Sequence, residues 1–264
     1  MKNLLIGDNA FIGVSHLSQA RAREKVEELG VQAIVRVVEK AISYGASGFT
    51  FSTHSTNFEV LRALRRSEMV SREFGIYPVL PYAEGYVRMA NERGVTGLAR
   101  QMLSRLPLVG KAKALLKGGI SYMTLDPVRI LRAFVDMEVE SCLSMKPRNA
   151  SLQTVILHEV ITDLGVSFQA RHLFDSYVQH VCDNYHVKPG FVTRNFVRFV
   201  QFFQDSGLSL EDVVIMTPFN EIGFQMNPSK ESCEACLSRL QEGNVFAISI
   251  MAGGYLRLDL AVEY

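Results

Sequence analysis

The feature that most constrains this chain is an alternation. Short, continuous apolar runs follow longer stretches whose apolar residues recur at helical spacing. Runs such as Val213–Thr217 (VVIMT) and the TVIL of Gln153–His158 have no polar alternation, so both faces of the strands they form must be covered, as in a parallel sheet flanked by helices. The spacing predicts strands at Asn3–Gly7, Ser47–Ser52, Ile76–Leu80, Gln153–His158, Gly190–Thr193, Val213–Thr217 and Asn244–Met251. Helices are expected at Gln32–Tyr44, Asn57–Phe74, Arg171–Tyr185, Asn195–Ser206, Ser229–Leu240 and from Leu258 to Tyr264, the first two stopping at Gly45 and Gly75. Pro78 sits awkwardly inside the third strand.

Seven strand–helix units in series resemble the (β/α)₈ TIM-barrel superfold, without pointing to one family within it. An eighth strand is then expected at Ile120–Thr124, ahead of a helical run at Asp126–Met145, and residues 84–119 become a helical insertion or lid after strand three. The 264 residues suit one such domain over 1–264, and 48% hydrophobic with 21% charged residues is an ordinary globular balance. The competing architecture is an open, doubly wound sheet. It lacks its Gly-rich fingerprint, because Gly7 is followed by DNAFIG.

Charge and cysteines narrow the setting. A net charge of +1 gives no field that favours nucleic acid, and no apolar run is long enough to span a bilayer. Asp8 falls too early for a secretory leader, and the four Cys form no disulfide framework, so the expected location is cytoplasmic. Cys233 and Cys236 form a CxxC near a helix start. Without a second ligand pair, this spacing reads first as helix packing.

In the barrel superfold, active sites form at the C-terminal strand ends. Those ends carry Asp8 and Asn9; His54 and Asn57; Tyr82 and Glu84; His158 and Glu159; Thr193, Arg194 and Asn195; and Asn220. The opposite ends offer only Ser47, Ile76, Gln153 and Asn244. This asymmetry points to an enzyme. Asp8, His54, Glu84, His158, Glu159 and Arg194 are the candidate catalytic groups, with Arg194 as anion clamp and the others as acids and bases. Asn9, Asn195, Asn220, Gly253 and Gly254 are candidate substrate or phosphate contacts, the glycines because positive φ lets backbone N–H groups approach an anion.

These groups suit isomerase, lyase or aldolase-type acid–base chemistry on a small anionic substrate that is phosphorylated or sugar-like. His54, His158 and Glu159 also make an N/O set able to hold a divalent metal, which leaves the cofactor open and metal-dependent hydrolysis as the alternative. No predicted strand ends in Lys, which speaks against a Schiff-base aldolase, and the residue set of an aldo-keto reductase is not met. A non-catalytic binding or assembly barrel is the reading from another class. Packing of the last helix against a second copy, giving a homo-oligomer, is a further expectation. From Arg93 to Leu125 there are six basic residues and no acidic one, which reads as a solvated helix pair, an anion-attracting lid, or a surface that docks on a membrane or acidic partner.

Overall fold

In a computed structural model, residues 4–14, 19–70, 73–81, 127–240 and 244–264 are described. Tyr82, Glu84, the basic stretch 93–125 and the Ile120–Thr124 strand lie outside them. The chain is mixed α/β, and it divides into two compact units: residues 1–14 with 20–155, and 15–19 with 156–264.

The first unit is built on β1 (Leu5–Gly7), β2 (Gly48–Ser52), β3 (Gly75–Leu80) and β4 (Ser151–Leu152). β1 pairs with β2, β2 with β3 and β3 with β4, each in parallel. The helices are α1 (Gln19–Ser43), α2 (Ser55–Leu64) and α3 (Pro127–Met145). Gly30, at φ 61°, divides α1 into two helical stretches, a left-handed conformation that glycine adopts at little cost. Phe49 and Phe51 on β2 pack with Ile34, Val38, Leu61 and Leu64 into one buried core.

α2 is shorter than the expected Asn57–Phe74. Past Leu64, Arg65 and Ser67 engage tertiary partners. Arg65 reaches the end of α3, donating to the carbonyls of Ser144 and Lys146, and the Ser67 hydroxyl donates to Glu39 on α1 at 2.6 Å. Pro78 is accommodated within β3, opposite Phe51 of β2.

β5 (Thr154–Leu157), buried throughout, leads into the second unit. There β6 (Lys188–Val192), β7 (Val214–Pro218) and β8 (Val245–Ile248) pair in parallel, β6 with β7 and β7 with β8. They alternate with α4 (Glu159–Ser167), α5 (Arg171–Tyr185), α6 (Phe196–Ser206), α7 (Lys230–Leu237) and α8 (Leu258–Glu263). α4 and the first half of α1 have no counterpart in the sequence expectation, and β5 stops one residue short of His158, which caps α4 instead.

The second core is aromatic. Phe191 on β6 lies 5.3–5.4 Å, centroid to centroid, from Phe174 and Tyr177 of α5 and from Phe199 and Phe203 of α6. Gly165 lets α4 approach this cluster, because a Cβ there would stand 2.6 Å from Phe174. At the far end, the Tyr264 hydroxyl donates to Glu234 at 2.6 Å and Lys230 lies 4.6 Å from the Tyr264 ring centre, which ties the end of the chain to α7. No helix among the described residues is long and apolar enough to cross a membrane.

Candidate functional site

Each unit gathers polar groups at the C-terminal ends of its strands. In the first, Asp8 follows β1 and is buried. Its side chain does not cap the 3₁₀ turn Asn9–Phe11 that it precedes. One carboxylate oxygen instead accepts from the Ser52 N–H (2.8 Å), the Ser52 hydroxyl (2.6 Å) and the Asn57 amide (2.7 Å). Three donors on one oxygen tie the end of β1 to the end of β2 and to α2. His54 is the N-cap of α2, its Nδ1 accepting from the Thr56 N–H at 3.2 Å. Asn9 contributes its carbonyl to a turn, accepting from Val14 N–H at 2.9 Å.

The second unit repeats the histidine device. His158 caps α4, and its Nδ1 accepts from the Val160 N–H at 3.2 Å. An Nδ1 that accepts carries no proton, so in each neutral ring the hydrogen sits on Nε2. Glu159, the first residue of α4, meets the positive end of the helix dipole and also pairs with Arg194 (Oε1 to guanidinium N, 2.5 Å). Both are partly exposed, at 22% and 34% of the side chain, so solvent and solutes reach them.

The ground beneath this pair is rigid. Asp163, one turn further along α4, accepts from the buried Thr193 hydroxyl at 2.5 Å and from the Arg194 N–H at 3.3 Å. Thr193 in turn accepts from the Asn195 N–H at 3.0 Å, and the Asn227 amide donates to the Arg194 carbonyl at 3.1 Å. Arg194 is thus fixed through its backbone from two sides, and Glu159 holds its head group. The guanidinium carries five N–H donors, so further donors remain for an anion.

Of the groups expected at these strand ends, Glu159 and Arg194 pair; His158 precedes Glu159 as the cap of α4, and Asn195 follows Arg194 on the chain. Asp163 was missed, because it holds the site from a helix that the apolar pattern did not announce. Its signal is the spacing of four from Glu159, which puts both acids on one face of α4.

Other expected contacts serve their own loop. Gly253 and Gly254 have the positive φ anticipated (70° and 99°), but the Gly254 N–H donates to the Met251 carbonyl at 2.8 Å. The Asn220 side chain accepts from the Phe224 N–H (2.7 Å) and donates to the Phe224 carbonyl (2.9 Å). Among the described residues, no three His, Cys, Asp or Glu side chains are placed to hold a metal ion.

All four cysteines are free thiols. Burial pushes Cys233 up to about 11, and burial also raises Cys236, the reverse of an activated CxxC. The Cys233 thiol donates to the Asn227 carbonyl at 3.4 Å, beneath the loop that holds Arg194. A raised value means that thiolate is scarce until the pH approaches 11. In the native protein at about pH 8, Cys233 is therefore expected to alkylate with iodoacetamide at least ~100-fold more slowly than an ordinary thiol. Mass spectrometry over a pH series measures this, and rapid labelling of folded protein at about pH 8 would contradict it.

Compared with known protein families, curated proteins and solved structures, the chain matches none.

Proposed function

We propose that this chain is an enzyme of the (β/α)₈-barrel type that performs acid–base chemistry on a small anionic substrate, of isomerase, lyase or aldolase character. The observation that carries the reading is the Arg194–Glu159 pair beside His158, at the ends of β6 and β5, on a backbone pinned by Asp163 and Asn227. Parallel strands alternating with helices support the barrel, and polar groups at strand C-termini are where such folds carry chemistry.

The roles follow from the chemistry of each group. Arg194 binds a carboxylate or phosphate of the substrate through its remaining donors. His158 presents Nε2–H as hydrogen-bond donor or acid, with its tautomer set by the helix cap. Glu159 is the base, aligned by Arg194 until substrate takes up the guanidinium. Asp8 and His54 occupy the matching strand ends of the first unit.

The test is a thermal-shift screen with small phosphorylated sugars and hydroxy acids, followed by NMR of carbon-bound deuterium uptake from D₂O with each ligand found. Arg194→Gln is expected to weaken binding about tenfold by removing a charged hydrogen bond. His158→Asn keeps a good N-cap side chain, so stability is expected to hold while exchange falls about 100-fold. Binding that survives Arg194→Gln unchanged, or exchange that survives His158→Asn, would overturn these assignments.

A further inference from the structure

The first unit has a second polar feature, away from its strand C-terminal ends. The second half of α1 and the end of α2 flank a cleft of about 460 Å³. Arg36 enters it from α1, and Arg62 and Arg66 enter from the end of α2. Among the described residues, none of these guanidinium groups has a hydrogen bond or an ion pair. The cleft's one carboxylate, Glu39, already accepts from the Ser67 hydroxyl at 2.6 Å.

The three arginines are exposed and line the cleft with a single carboxylate among them. Arg62 lies in the last turn of α2 and Arg66 just past its end, so both line the cleft from the same segment of chain. The dipole at the end of α2 accounts for cations there, but it does not account for Arg36, which comes from a different helix. Arg65, between them, shows the contrast. Its guanidinium donates to two carbonyls at the end of α3, while Arg62 and Arg66 make no such bond among the described residues.

We infer that this cleft is a binding site for a compact polyanion, one bearing at least two phosphate or carboxylate groups. Three guanidinium groups against one engaged carboxylate leave excess positive charge in a concave site, and the planar guanidinium fork matches such oxyanions in bidentate fashion. The volume falls in the range of small-ligand sites, and Val35 and Ala63 provide little apolar lining, which suits a ligand that is mostly charge. Its place at the strand N-terminal side separates it from Asp8 and His54, so it binds without taking part in chemistry there.

The probe is pyrophosphate, titrated into the whole protein by calorimetry at low salt, with citrate and inorganic phosphate run in parallel. Pyrophosphate is expected to bind. The double variant Arg62→Gln/Arg66→Gln is expected to raise Kd at least about tenfold and Arg36→Gln to raise it several-fold, since each removes charged hydrogen bonds. Arg198→Gln, on α6, should leave Kd unchanged. The unliganded double variant should melt no lower than the original, because it loses no hydrogen bond or ion pair. Stronger binding of citrate than of pyrophosphate assigns the site to carboxylates within the same class. No binding of any of the three, or binding equally strong in the double variant, overturns the inference. The test is independent of Arg194, so Arg194→Gln should retain pyrophosphate binding here.

Discussion

Phe191→Ala is expected to destabilise the protein by about 3–5 kcal/mol. Phe191 is fully buried, and its ring meets four others from two helices at 5.3–5.4 Å. Removing it takes away the apolar transfer term and opens a cavity that cannot close by local collapse, because Phe174, Phe199 and Phe203 are also packed against one another. The melting midpoint should fall on the order of 10 °C. Phe191→Leu should recover more than half of the loss, since it refills most of the volume. A loss below about 1 kcal/mol for Phe191→Ala by denaturant titration would mean that the cluster does not hold the second unit together.

Asp8→Ala is the second large effect, about 3 kcal/mol, and it arises from polar groups. The carboxylate oxygen that accepts three hydrogen bonds disappears. The Asn57 amide keeps its bond to the Ser52 carbonyl at 2.9 Å, but the Ser52 N–H is left buried without an acceptor. Leaving a buried donor unmade costs more than the bond was worth on balance, because water cannot reach it. Asp8→Asn retains an acceptor oxygen but not the charge, and should fall about halfway between. Wild-type melting of Asp8→Ala would remove Asp8 from the framework and leave only a chemical role for it. A variant that is destabilised, with ligand binding intact at low temperature, assigns it to the framework.

The sequence by itself determined the α/β class and the positions of most strands. Their apolar residues form unbroken runs, as in β5 and β7, which only a strand covered on both faces demands. It also marked polar groups just past strand ends, His158 and Glu159 after β5 and Thr193, Arg194 and Asn195 after β6. α4 was not legible. It has nine residues, and Val160 and Leu164 of its apolar set remain exposed, so its pattern lacks the one-sided stripe that signals a helix.

Only the tertiary structure decided which of the strand-end groups are tied to partners in the framework. Asp8 and Asn220 read from sequence as free polar side chains, but their partners lie respectively across the sheet in Ser52 and four residues on in Phe224. The reverse holds for Asp163, a helix acid with no special spacing to a strand until Thr193 and Arg194 are brought against it. The Arg36, Arg62 and Arg66 cleft likewise has no sequence signature, because Arg36 and Arg62 are 26 residues apart and meet only when α1 and α2 pack on the same core. Periodicity records which face of an element is buried. Hydrogen-bond partners and charge convergence depend on distances between segments remote in sequence, and those are fixed only when the helices and strands are packed.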